Sequence, residues 1–124
     1  MISGAVVMAF EVAGMSLFPL PADIDVNDPA SLGANMARIP VPALASVVMG
    51  WLFGTTAGAA FAAWRTPGSP RRGAVTVGVA MQAAGVADLM SFPHPHWMIA
   101  AAALVFLPPA WLVGGLFEAR SGQD

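Results

Sequence analysis

Four long apolar runs separated by short polar breaks set the pattern of the chain: residues 2–18, 42–64, 74–92 and 97–117. Each is close to the roughly 20 residues an α-helix needs to cross about 30 Å of hydrocarbon, and the first is the shortest. Within the runs Ala, Gly, Leu and Met follow one another without apolar–polar alternation, which predicts helices and not strands. A helix satisfies its own backbone inside a membrane, whereas a barrel would need many more strands. The expected fold is an all-α membrane protein, a four-transmembrane-helix bundle forming one domain of 124 residues.

The breaks between runs carry their own signals. In "DVNDPASLGANMARIP", Asp28 is placed to cap a helix whose first position is Pro29, and Ile39 ends it before Pro40. Leu32, Met36 and Ile39 recur at three- or four-residue spacing, so a short amphipathic helix over residues 28–39 is expected to lie on the outer membrane surface. The second break, "RTPGSPRRG", holds Arg65, Arg71 and Arg72 and is expected in the cytoplasm. Arg120 joins it there, which puts both termini inside. The first break, with Asp23, Asp25 and Asp28 against Arg38, then lies outside with the turn "PHPH". In the fourth run Pro108 and Pro109 leave carbonyls one turn back without donors and predict a kink.

Composition agrees with the pattern. The chain is 57% hydrophobic and 10% charged, against about 25% charged in a soluble domain, too little to cover a water-facing surface. A net charge of −2 with no Lys gives no footprint for nucleic acid. With no Cys there are no disulfides, thiolate metal sites or cysteine nucleophile. The first run is not expected to be a cleaved signal peptide, because no basic residue precedes Arg38 and the run ends in "PLPAD".

Against this background the few polar residues inside the runs stand out. Glu11 lies nine residues into the first run and Gln82 eight into the third, which runs in the same direction. Both are expected about 12–14 Å from the inner boundary, close to Thr55 and Thr56 of the second run. With no basic residue at that depth, Glu11 is expected to be a neutral carboxyl facing the interior, bonded to Gln82 or the threonines. Its expected task there is that of a proton relay, an ion-coupling site or a ligand to a bound headgroup, or else of a neutral interhelical hydrogen-bonding residue. Gly50, Gly54 and Gly58, continued by Ala62, form a small-residue groove for close approach of another helix. At the outer side, Asp88 and Ser91 end the third run, and His94 and His96 follow. With Asp23, Asp25 or Asp28 the histidines are a weak candidate metal set, short of a usual complete site; a solvated turn anchored by Trp97 is the plainer reading. No nucleophilic triad, phosphate loop or dinucleotide fingerprint is present, which argues against an enzyme.

The run "FEVAGMSLFPLPADIDVNDPASLGANMARIP", the Gly-rich second span and "SFPHPHW" before a proline-containing fourth span resemble a family of small bacterial four-helix integral membrane proteins. The resemblance covers nearly the whole chain and rests on Glu11, Pro19, Pro21, Asp28, Pro29, Pro93, His94 and Pro95. It implies the topology and a bacterial inner-membrane location, but no mechanism. The expected role is non-enzymatic, an accessory or scaffold subunit of a larger membrane assembly, with lipid and other subunits or further copies as partners and no cofactor. The alternatives are a homo-oligomeric transporter or channel using Glu11 and Gln82, and a metal- or haem-binding protein using His94 and His96.

Overall fold

The structure is a computed structural model that describes residues 1–123, and it is all-helical, with no strand among those residues. Six α-helices follow in order: α1 (Ile2–Leu17), α2 (Pro29–Ala34), α3 (Val41–Arg65), α4 (Pro70–Ser91), α5 (His96–Val105) and α6 (Leu107–Ser121), with a 3₁₀ turn at Met36–Arg38. Three segments, α3, α4 and the α5–α6 run, are long and apolar enough to cross a membrane, which marks a multi-pass membrane protein. The shorter α1 has 16 residues, about 24 Å at 1.5 Å per residue.

Local sequence sets the helix edges. Pro70 occupies the first turn of α4, where its missing N–H leaves nothing unpaired. Consequently α4 begins at Pro70, before the predicted residue 74, and takes Arg71 and Arg72 into its first turn, while Arg65 closes α3. The basic residues thus sit on helix ends and not in a loop. Asp28 caps α2 as predicted, accepting a hydrogen bond from the Ala30 N–H at 3.1 Å. The helix expected over 28–39 is nevertheless interrupted at Asn35, whose side-chain amide donates back to the Ser31 carbonyl at 2.8 Å, a local bond that competes with helix continuation. The fourth apolar run breaks at Phe106 (φ −104°, ψ −71°), because Pro108 and Pro109 have no N–H to offer the carbonyls of Leu104 and Val105.

The core is organised around α3. On one side α4 and α6 pack against it and each other; on the other lies α1, whose backbone approaches that of no other helix. The glycine groove explains that contact. A Cβ on Gly54 would lie 2.7 Å from the Ser3 carbonyl oxygen, and one on Gly50 2.9 Å from the Phe10 Cβ. Gly58 has the Ser3 hydroxyl against it. The groove is therefore filled by this chain's own α1, while Ala62 turns its carbonyl toward Gly73 of α4. A second set of small residues, Gly78 against Ala110 and Gly114 against the Arg71 backbone and Ala74, brings α4 and α6 together. Between the two layers Phe106, 1% exposed, lies over Gly85 and tilts against Trp51 at 5.5 Å between ring centroids.

The two ends of the molecule differ in charge. At one end Arg71 bridges α4 to α6, reaching Glu118 at 3.1 Å and lying 4.8 Å above the Trp111 ring. At the other, α2 and the 3₁₀ turn fold over the helix ends. Met36 is buried with Leu44 and Met98, and Leu32 and Ile39 pack against them. The apolar face predicted to lie on lipid thus covers the end of the bundle. These are called below the arginine end and the α2 end.

Candidate functional site

Under the α2 roof, α1, α3 and the last turns of α4 leave a cleft of about 320 Å³. Its walls are mostly apolar, with Met15, Leu32, Met36, Leu44, Val47 and Met98 among them. Three ionisable side chains also line it: Glu11 from α1, Asp88 from α4 and His94 from the α4–α5 connection. Since the backbones of α1 and α4 do not approach each other closely, the two acids enter from separate walls. No Arg lines the cleft.

His94 is fixed on both ring nitrogens. Phe92–Pro93 turns the chain back over the end of α4, leaving the His94 side chain 6% exposed. Its Nδ1 lies 2.9 Å from the Phe92 carbonyl oxygen. Its Nε2 lies 3.2 Å from Asp88 Oδ2. That contact engages Asp88 with the imidazole ring. Glu11, by contrast, accepts no hydrogen bond among the described residues.

At the rim, Arg38 grips Asp23 through two hydrogen bonds of 2.6 and 3.1 Å. Those bonds hold the Asp23 carboxyl below its usual range and raise the Arg38 guanidinium. The clamp ties the α1–α2 connection to the 3₁₀ turn and commits Arg38 to a partner other than Glu11.

The polar cluster expected from the sequence is not assembled. Glu11 shares a cleft with Asp88 and His94, and Gln82, Thr55 and Thr56 are not among its lining. The reason is stagger: Ser3 stands opposite Gly54 and Gly58, whereas α3 continues to Arg65. This sets α1 about 10 Å toward the α2 end, so equal residue counts from the two run starts do not mean equal depth. Gln82 is half-buried without a side-chain hydrogen bond among the described residues. Thr56 bonds its own helix at the Leu52 carbonyl, 2.7 Å away, and the fully buried Thr55 hydroxyl has no partner among the described residues. Ser91 likewise bonds back to Ala87 at 2.7 Å.

The outer histidine–aspartate set is not brought together either. No three His, Asp or Glu side chains among the described residues are placed to hold a metal ion. His96 is exposed on the first turn of α5 while His94 is turned inward. Asp25 and Asp28 accept from the backbone N–H groups of Asn27 and Ala30, and Asp23 is held by Arg38. The Asp88–His94 pair went unpredicted. Its sequence signal is a carboxyl in the last turn of a helix, followed by a proline-directed reversal that ends in His.

Fold and cleft together define a small, all-helical, multi-pass membrane protein with an ionisable recess at one end. Comparison with family models, curated proteins and solved structures finds no match to the chain.

Proposed function

We propose that this chain is a four-crossing membrane protein that works without catalysis, binding a small ligand in the α2-end cleft for capture or transport. The observation that carries the reading is the cleft itself: about 320 Å³ of mainly apolar lining with a few ionisable groups, the make-up typical of small-molecule sites. The residues in it offer no nucleophile beside a base and no metal set.

Four crossings require α1 to be the fourth. Its outward face, with Ile2, Met8, Val12, Met15 and Leu17 exposed, suits lipid. Its shortness is within what local thinning of a bilayer accommodates, at fractions of a kcal/mol per Å of mismatch. Arg65, Arg71, Arg72 and Arg120 lie on terminal turns at one end, and the positive-inside rule assigns that end and both termini to the cytoplasm. The cleft then opens on the outer side of the bacterial inner membrane that the family resemblance implies. Single cysteines at Arg72 and Asn27, unique in a chain without Cys, test this orientation with a membrane-impermeant maleimide in intact cells. Labelling at Asn27 alone is expected; labelling at Arg72 alone reverses it.

Ligand binding is tested on the purified protein by thermal unfolding in a panel of small cations, neutral molecules and anions. A ligand at a hundred times its Kd stabilises by about 2.7 kcal/mol. The shift is expected to vanish in Leu32→Trp, which fills the cleft from its α2 wall. A panel without a stabiliser, or shifts equal in Leu32→Trp, refutes the reading.

An accessory-subunit role is the second reading. The glycine groove gives it no support, since α1 fills it. What favours it is an apolar groove of about 480 Å³ beside the α5–α6 break, lined by Val75, Leu107, Pro108, Trp111 and Leu112. Native mass spectrometry of gently extracted protein decides it: other subunits in the mass support it, and a lone chain removes it.

A further inference from the structure

Resting on the ligand-binding reading, we propose that the cleft selects an organic monocation, a small ammonium with an apolar body, whose charge is met by Glu11. The partners of the lining residues lead there. Asp88 already has the His94 ring at 3.2 Å. Arg38 is committed to Asp23, and α3 brings no charge before Arg65 at its far end. Among the ionisable residues lining the cleft, only Glu11 has no side-chain partner among the described residues. A cation placed beside this carboxyl favours its ionised form over the neutral one expected of the empty site, so the site admits one positive charge.

The rest of the lining decides what carries that charge. A bare metal cation needs several oxygen or nitrogen ligands, and no three candidate ligands converge among the described residues. An ammonium needs fewer, because its organic substituents are solvated by apolar walls. Met15, Met36 and Met98 sit in those walls, and the flexible, polarisable thioether adapts to varied apolar shapes. An anion is disfavoured by Glu11 and Asp88 entering from two sides. The cleft therefore fits a class of amphiphilic ammonium compounds rather than one rigid shape.

Benzyltrimethylammonium and its carbon isostere neopentylbenzene test this, since they share a shape and differ in one fixed charge. Binding to the purified protein in micelles is measured by calorimetry, with empty micelles as reference. The cation is expected to bind more tightly than the isostere, and Glu11→Gln to weaken it by about tenfold or more while leaving the isostere unchanged. The comparison of the two probes on the native protein stands even if Glu11→Gln does not fold. Equal affinity for both probes overturns the charge assignment and leaves the ligand-binding reading in place. A cation preference that survives Glu11→Gln and is lost in Asp88→Asn overturns the role given to Glu11. If neither probe binds while panel compounds still stabilise through the cleft, this inference alone fails; if nothing binds there, both fail.

Discussion

Substituting Gly54 by Ala tests the seating of α1 in the α3 groove. The added Cβ would lie 2.7 Å from the Ser3 carbonyl oxygen and 2.9 Å from the Val7 Cγ2, where ordinary contact begins at 3.4 Å. The nearer obstacle is backbone, so no rotamer change relieves it. The helix α1 must move outward by about 0.7 Å, and a gap of about 0.5–1 Å forfeits a quarter to a half of each contact's attraction. Over-packing of this kind costs about 1–3 kcal/mol, and the better helix propensity of Ala returns up to about 1 kcal/mol. A net loss of about 1–2 kcal/mol follows. Because the backbone of α1 approaches that of α3 alone, little elsewhere compensates. Ser3 is buried in this interface, and Ser3→Cys makes it the only thiol in the chain. Its reaction with N-ethylmaleimide should speed up about tenfold in Gly54→Ala. Gly4→Ala is the control, since a Cβ there meets nothing within 4 Å. Equal protection in native and Gly54→Ala proteins would show that α1 is not seated in the groove.

Three further substitutions probe separate parts of the fold. Thr55→Val replaces a fully buried hydroxyl that lacks a partner among the described residues, so stability in detergent-induced unfolding should stay level or rise by up to about 1 kcal/mol; a loss of that size would reveal a partner. Phe106→Ala removes the ring that joins α3, α4 and the helix break and should cost about 3–5 kcal/mol by the same measurement, whereas a loss below about 1 kcal/mol would mean the ring is not close-packed. At acid pH the Asp23–Arg38 clamp should open. The folded Asp23 carboxyl lies below its ordinary value because of its hydrogen bonds to Arg38, so its contribution is complete above about pH 3.9 and disappears as pH falls through the lower folded value. Hydrogen exchange in residues 19–40 should accelerate in that window, Asp23→Asn should exchange fast already at neutral pH, and identical pH profiles for the two proteins would contradict the clamp.

Helices were legible in the sequence because burial in any apolar medium demands the same run of residues, whichever neighbours they meet. The starts of the first, second and fourth runs, the Asp28 cap and the proline break near residue 108 follow from local chemistry and appear where the sequence puts them, whereas the helix of the third run starts four residues early, at Pro70. Neighbour relations are a different matter. In a soluble bundle an apolar stripe points to the core, but here nearly every face is apolar, so periodicity does not say which face of α1 meets which helix. The small residues hold that information. Gly50, Gly54 and Gly58 were readable as a groove, yet its occupant depends on Ser3, Val7 and Phe10 presenting a matching face. Depth counting failed for Glu11 because it assumed flush helix ends. His94 was read with His96 by sequence adjacency, whereas the reversal at Phe92–Pro93 gives it Asp88 instead.

The groove and the cleft are mechanically linked. Ser3, Val7, Phe10, Glu11 and Gly14 share one face of α1, at the spacing of successive helix turns. The face that seats in α3 therefore presents the carboxyl at its cleft end. A slide of one helical turn, about 5.4 Å, would carry Glu11 away from the Asp88–His94 pair, and the close approach of Ser3 to Gly54 helps to hold that register. If Glu11 meets the ligand charge, Gly54→Ala should weaken benzyltrimethylammonium binding although Gly54 does not line the cleft, and Gly4→Ala should not. Should Gly54→Ala free the Ser3→Cys thiol and leave the affinity unchanged, α1 would be a passive cover, and the binding charge would have to be sought on α4.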